Sequence, residues 1–405
     1  MLRVIQLTPP GRGAVATVLV EGPGAVAAVA SGFRSASGRP LDAYGPDRPA
    51  FGTLELPGGE AEEVVVRVRS PRAVEVHCHG GRAALAAIQQ RLVGRGASAV
   101  GWRTWLRGRW TDPIAREAQV ALAEARTERT ALILLDQYHG ALGAAVERII
   151  RLLRSAEGAA ASAELQALLG RAAVGLHLTQ PWHVVLAGPP NVGKSSLINA
   201  LVGYQRAIVH GAPGTTRDVV TAITAIDGWP VELADTAGLR AGGGDIERLG
   251  VGLARQRIAE ADLVVLVFDR SGPFAAAEHR LWEDLRAETT EASGQGELGP
   301  RSTPAPSRLL VVHNKADLPP APGPPRPSGL AVSALTGQGV PSLLEAIAAR
   351  LVPSPLPPGT AVPFTGEQID ALSRAGEAVR QGDLSAAIHW LERLSSGPSP
   401  RGTAG

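Results

Sequence analysis

The chain has 405 residues, more than one hydrophobic core usually serves, since single cores stop growing at about 250–300 residues. A hydrophobic content of 44% with 19% charged residues describes a soluble globular chain, and a net charge of +2 is too small to argue by itself for nucleic-acid binding. The single cysteine, Cys78, excludes an internal disulfide and fits a reducing compartment. The opening MLRVIQLTPPGRG lacks the layout of a signal peptide, and no run of about 18 apolar residues is present, so a cytoplasmic location with no membrane partner is expected.

Up to about Gly108, short apolar runs alternate with Gly and Pro. Arg3–Leu7, Ala14–Val20, Phe51–Leu56, Glu63–Val68 and Ala73–Cys78 are predicted strands, with one helix over Arg82–Val93, which together make an α+β domain. From Arg116 to about Val174 the composition turns to Ala, Leu, Glu and Arg, and Leu132, Leu135, Leu142, Val146, Ile149 and Leu153 recur at helical spacing; a long-helix region is predicted. Trp182 to about Val352 alternates strands and helices, which predicts a mostly parallel sheet covered on both faces. Within it, Glu288–Ser307 and Pro319–Ser328 are low-complexity loops. Gly366–Leu394 returns to helical periodicity, and the tail from Ser395 reads as disordered.

The predicted organisation is therefore a multidomain α/β protein. It comprises an N-terminal α+β domain (1–110), a first helical part (111–180), an α/β block (181–352), a second helical part (353–395) and a tail (396–405). The two helical parts are expected to pack together, with the α/β block inserted between them.

The chemistry concentrates in that block. The predicted strand His183–Ala187 runs into Gly188-Pro189-Pro190-Asn191-Val192-Gly193-Lys194-Ser195 and a helix over Ser196–Leu201, a phosphate loop in its required strand-loop-helix context. Glycines let backbone amides turn inward around a polyphosphate, and the helix N-terminus adds partial positive charge. Gly188, Asn191, Val192, Gly193, Lys194, Ser195 and Ser196 are the expected phosphate-binding residues, Lys194 reaching the β and γ phosphates and Ser195 a Mg²⁺ ion. The predicted strand Val231–Ala234 ends in Asp235-Thr236-Ala237-Gly238, where Asp235 can hold Mg²⁺ through water and the Gly238 amide can meet a γ-phosphate. The predicted strand Leu309–Val312 ends in Asn314-Lys315-Ala316-Asp317. The Asp317 carboxylate can accept from guanine N1–H and the exocyclic amine, a donor pair that adenine lacks, so GTP and GDP are the expected ligands. Ser333 and Ala334 follow Leu330–Val332 as a backbone contact to guanine O6. Gly214-Thr215-Thr216-Arg217-Asp218 is a switch candidate, in which Thr215 and Thr216 approach the nucleotide and Thr216 completes the Mg²⁺ shell.

These motifs resemble the tRNA-modifying GTPases called MnmE or TrmE. That family's GTTRD and DTAGLR stand here as Gly214–Asp218 and Asp235–Arg240, its TPPGRG as Thr8–Gly13, and its E-[IVL]-H-C-H-G-G as Glu75–Gly81. The resemblance implies an N-terminal domain like folate-binding proteins, with Glu75 and Arg109 as folate contacts. It also implies a G domain protruding from a helical domain, a homodimer through the N-terminal domain, and modification of the tRNA wobble uridine with a flavin-dependent partner of the MnmG/GidA type. Leu239 stands where Ras-like enzymes carry a glutamine; the resemblance assigns the catalytic role to Glu247 through a bridging water, beside Lys194. It assigns the role of an arginine finger to K⁺ held by Asn191, for which the loop here reads His210-Gly211-Ala212-Pro213.

The sequence departs from that pattern at three places. The family's cysteine-bearing C-terminal motif has no counterpart after Cys78, a T-G-E-D segment is absent before Glu75, and the arginine of the second strand falls near Leu19. On these grounds the chain reads as a divergent, shortened member, and a second reading stays open, that of a GTPase switch or RNA- or ribosome-associated module without modification activity. His77, Cys78 and His79 allow a metal reading and a core-packing reading; side chains alternating along one strand favour packing.

Overall fold

The computed structural model describes residues 1–9, 13–46, 48–109, 112–204, 221–235, 256–291 and 308–396. The chain divides into two compact units, Met1–Trp110 and Thr111–Gly405.

In the first unit, strands β1 (Arg3–Gln6), β2 (Val15–Glu21), β3 (Phe33–Ser35), β4 (Pro49–Glu55), β5 (Ala61–Ser70), β6 (Ala73–His79) and β7 (Ser98–Ala99) form one sheet in the order β3-β4-β5-β6-β2-β1-β7. Every pairing is antiparallel except β1 with β7. Strict alternation sorts the side chains of β6: Val74, Val76 and Cys78 enter the core with Ile88 and Leu92 of α2 (Arg82–Gly94), while Glu75 and His77 take the other face. Two short helices beyond the predicted one, α1 (Ala25–Ala30) and α3 (Trp102–Arg107), complete the unit.

The second unit begins with α4 (Pro113–Leu122), α5 (Glu128–Tyr138), α6 (Ala141–Arg154), α7 (Gly158–Leu169) and α8 (Ala172–Leu176). The predicted long-helix region is thus five short helices. Left-handed residues break it, Gly140 at φ 99° and Ala156 at φ 61°, conformations that stop an α-helix. Of the apolar residues at helical spacing, Leu142, Val146, Ile149 and Leu153 are buried, whereas Leu132 is 56% and Leu135 38% exposed. The inward face of α5 carries Thr130, Leu134 and Gln137 instead, because Gln137 is needed inside: its amide donates to Thr360 O at 3.0 Å and accepts from Val362 N at 3.1 Å.

The α/β block supplies strands β8 (Trp182–Ala187), β9 (Thr221–Ile226), β10 (Trp229–Asp235), β11 (Leu263–Asp269), β12 (Leu309–Asn314) and β13 (Leu330–Ala331) and helices α9 (Lys194–Tyr204), α10 (Ala276–Glu291) and α11 (Val340–Leu351). Residues 288–291, read from composition as loop, finish α10. The sheet order is β13-β12-β11-β8-β10-β9, parallel throughout except the β9–β10 hairpin. Along β8, Val184 and Leu186 point into one apolar cluster and Val185 and Ala187 into another, so both faces are covered, which explains the unbroken apolar run. The chain leaves β8 toward β10 and later crosses back to β11, so connections diverge on either side of β8, where such sheets open a crevice at their carboxyl ends.

Helices α12 (Gly366–Arg380) and α13 (Leu384–Ser396) follow, separated by Gly382 at φ 80°. Leu372, Ala375 and Leu391 join Val146, Ile149, Leu165 and Leu168 in one core, and Arg154 pairs with Glu392 at 2.7 Å. Among the described residues no helix is long and apolar enough to cross a membrane.

Candidate nucleotide site

The loop after β8 turns through backbone conformations that few residues adopt. Gly188 has φ 143°, Asn191 62° and Gly193 91°. Gly188 passes so close to β11 that an added Cβ would stand 2.2 Å from the Val267 carbonyl. A Cβ on Gly193 would stand 2.4 Å from Asn314 Nδ2. Both glycines are therefore required by contact as well as by angle.

Lys194 begins α9 and is buried, 5% exposed, and its ammonium donates to the carbonyls of Gly188 at 3.0 Å and Pro189 at 2.8 Å. The loop is thus curled around its own lysine, with the charge facing the cradle. Ser195 Oγ donates to the Asp235 carboxylate at 2.6 Å, which brings a hydroxyl and a carboxylate oxygen from two motifs 40 residues apart into one place. Hard oxygen donors of this kind suit Mg²⁺. Ser196 is exposed on the first turn of α9.

Asn314 knits the base side to the phosphate side. Its amide nitrogen donates to Val192 O at 2.8 Å and its oxygen accepts from Ala334 N at 3.0 Å, so one buried side chain ties the phosphate loop, the Asn314–Asp317 loop and the Ser333–Ala334 loop together. Asp317 is exposed and accepts from the buried Ser333 hydroxyl. Lys315 holds φ 63°, and its ammonium bonds Asp269 at 2.6 Å. Burial works against the charge on Asp269, yet Lys315 and the hydroxyl and amide of Ser271 outweigh it and keep the carboxyl below its ordinary range. Arg326 donates to the carbonyls of Asp269, Arg270 and Gly272 and stacks on Phe274, pinning the turn that carries Asp269.

Asp269 and Arg326 were not among the expected site residues. The available signal was an acidic residue directly ending the apolar run Leu263–Phe268. Arg326 had none, since it sits in a proline-rich stretch read as low-complexity loop. Thr215, Thr216, Gly238 and Glu247 lie outside the described residues.

In the first unit Glu75 is held by Arg69 at 2.8 Å, with Arg67 at 4.0 Å. Arg109 pairs with Glu21 at 2.8 Å and stacks on Trp105, whose indole also donates to Glu21 at 2.8 Å. Leu19 lies opposite Glu75 and Glu21 is two residues further along β2, so Glu75 and the anchor of Arg109 share one face of the sheet. On the adjacent strand stretch, His77 shares a hydrogen bond with Thr17 at 3.0 Å and His79 with Glu62 at 2.6 Å. Cys78 points the opposite way into the core, where burial and the nearby Glu62 charge push its thiol pKa up.

Residues 183–295 match the family model described as 50S ribosome-binding GTPase. The chain is 34% identical to a tRNA modification GTPase MnmE of Thermus thermophilus, over 92% of this chain and 87% of that protein. It is 36% identical to the MnmE of a Methylobacterium species, over 84% of this chain and 79% of that one. The solved G domain of the T. maritima FeoB iron transporter is 22% identical with a TM-score of 0.28, covering 42% of this chain and 99% of that one.

Proposed function

We infer that this chain, which belongs to the MnmE family of tRNA modification GTPases, binds GTP, hydrolyses it to GDP and phosphate, and serves tRNA modification. The observation that carries this reading is the convergence at the end of β8. Lys194 curls into the loop, Ser195 meets Asp235, and Asn314 joins the loop to Asp317 and Ser333.

In this reading the loop amides and Lys194 hold the phosphates, and the Lys194 ammonium exchanges its two loop carbonyls for phosphate oxygens. Mg²⁺ would be held by Ser195 and Asp235 and would neutralise charge on the β and γ phosphates. Asp317 selects guanine, with Ser333 holding its carboxylate in place. Fixing the three loops through Asn314 means that base and phosphates are gripped in one geometry, which is what in-line attack by water requires.

Family membership supports the finer assignments, which are part of the same proposal. Glu247 orients the attacking water, Thr215, Thr216 and Gly238 contact the γ-phosphate side, and K⁺ sits beside Asn191. Residues 1–110 form a folate-binding-like domain that dimerises and uses Glu75 and Arg109. Residues 111–180 and 353–395 form one helical domain into which the G domain 181–352 is inserted; the bonds of Gln137 to Thr360 and Val362 support that pairing. The target is the wobble uridine, the partner a flavin enzyme of the MnmG/GidA type, and the compartment the cytoplasm.

The test is hydrolysis of labelled GTP by the purified chain with Mg²⁺, in K⁺ against Na⁺ and across protein concentration. Mg²⁺-dependent release of phosphate that rises with K⁺ and with concentration is the expected result. Failure to retain GTP or GDP at micromolar concentration would overturn the reading.

A further inference from the structure

The β9–β10 hairpin reaches from the nucleotide site to the helices, and a single side chain holds its far end. Its turn is Asp227-Gly228, both residues left-handed at φ 49° and 74°, the conformation of a tight two-residue hairpin turn. Arg129, near the start of α5, grips this turn with a two-pronged ion pair to Asp227 at 2.8 and 3.3 Å. Its guanidinium lies 5.6 Å from the centre of the Trp229 ring, and its Cβ would be 3.1 Å from a Cβ added to Gly228. Contact by charge, by ring and by close approach at three consecutive residues makes this a built socket rather than a chance surface pair.

At the near end of the same hairpin β10 terminates in Asp235, bonded to Ser195 of the phosphate loop. Strand rise places Asp235 about 20 Å from the turn along a strand paired on both sides, by β9 and by β8. Such a strand moves as a unit. At its other end, α5 holds the chain that leaves the α/β block. Asp136 accepts from Gly359 N at 2.7 Å, and the Gln137 amide bonds Thr360 and Val362. Beside the clamp lies a groove of about 540 Å³ lined by Arg129, Tyr204, Trp229, Leu344, Val352 and Pro355, so the turn is not wedged against solid packing on that side.

We propose that Arg129 is a positioning residue that couples the two ends of this lever. By fixing the Asp227–Gly228 turn it sets where Asp235 stands relative to Ser195, and it carries displacement of Asp235 back to α5 and the segment 359–362. The inference rests on the reading that Ser195 and Asp235 flank the nucleotide. An exposed ion pair adds little to stability, so removing it tests coupling without unfolding the protein.

The experiment is hydrogen–deuterium exchange across residues 128–138 of the full chain, loaded with GDP or with a non-hydrolysable GTP analogue, alongside steady-state hydrolysis. The variants are Arg129→Ala, Arg129→Lys and Asp227→Asn, the last keeping a residue tolerant of the left-handed turn. In the unaltered chain exchange over α5 differs between the two nucleotides. In Arg129→Ala and Asp227→Asn that difference falls by more than half, and kcat drops about five-fold with KM within about two-fold. Arg129→Lys is intermediate, since it keeps charge but not the fork or the stacking. Nucleotide retained with no nucleotide-dependent exchange at 128–138, or variants matching the unaltered chain in both readouts, overturns the coupling while leaving GTP binding standing. Failure to bind GTP at all sinks the functional reading and this inference with it.

Discussion

Asn314 and Val192 are 122 residues apart in sequence and joined by a 2.8 Å hydrogen bond buried from solvent. Because the same amide also accepts from Ala334, replacing Asn314 with Ala strands a carbonyl and an amide together. An unsatisfied buried group costs about 1–3 kcal/mol. Asn314→Ala should therefore lower stability by that order in urea titration and weaken GDP binding at least ten-fold, about 1.4 kcal/mol or more, in fluorescent-nucleotide titration. Unchanged GDP affinity in a folded variant would show that the three loops are held by something else.

The two glycines of the phosphate loop should fail differently. At Gly188 the obstruction is the backbone of central strand β11, which has nowhere to go, so Gly188→Ala should cost stability of about 1–3 kcal/mol, in the manner of an overpacked core. At Gly193 the obstruction is the end of the Asn314 side chain, which can swing aside only by giving up Val192. Gly193→Ala should therefore cost stability too, through its left-handed backbone and the lost Asn314 bond, and in addition lose nucleotide. Paired denaturation and nucleotide-retention measurements separate the two, and equal profiles would refute the distinction.

Much of this site was legible in sequence because each motif closes an apolar run. Leu309–Val312 before Asn314 is a strand whose burial on both faces demands continuous hydrophobicity, Val231–Ala234 before Asp235 is interrupted only by the part-exposed Glu232, and the residues that follow each run are forced to the sheet edge. Less legible was α5. A period of 3.6 fits Leu132 and Leu135 as easily as Leu134, and only the distant partners of Gln137, at Thr360 and Val362, explain why a polar residue faces inward. Arg126–Asp136 carries no local mark of what Arg129 holds, since Asp227 is 98 residues away. Arg326 is a similar case, a cation whose three carbonyl partners exist only after the turn at Asp269 has formed.

Asp317 offers a specificity test. Its carboxylate is steadied by the Ser333 hydroxyl and otherwise exposed, ready to accept two donors from a base. Asp317→Asn replaces one acceptor with a donor, which clashes with the guanine amine and matches the carbonyl of xanthine. A site built to hydrogen-bond a ligand rejects the mismatched analogue by roughly four to five orders of magnitude. Competition binding should show GDP affinity falling by that order and xanthosine diphosphate gaining. Retained guanine preference would remove Asp317 from the base-reading role.

His313 gives the nucleotide site a sensitivity to acid. It lies on β12 beside Asn314, nearly buried, bonded at Nε2 to Pro327 O at 2.9 Å and stacked near Phe268. Burial lowers its pKa below the ordinary value, with Arg326 and Arg270 adding to the effect and the Pro327 bond only partly opposing it. The unfolded chain therefore takes up the proton at higher pH than the folded one. The stabilisation is complete above the ordinary histidine value of about 6.5 and is lost as pH falls below it toward the folded pKa. Urea titrations at about pH 7.5 and about pH 5.5 should show a drop for the unaltered chain that is smaller in His313→Gln, which keeps a donor but has no proton to gain. GDP retention should follow the same difference, because β12 delivers Asn314 to Val192. Equal acid sensitivity in the two proteins would place the titrating group elsewhere.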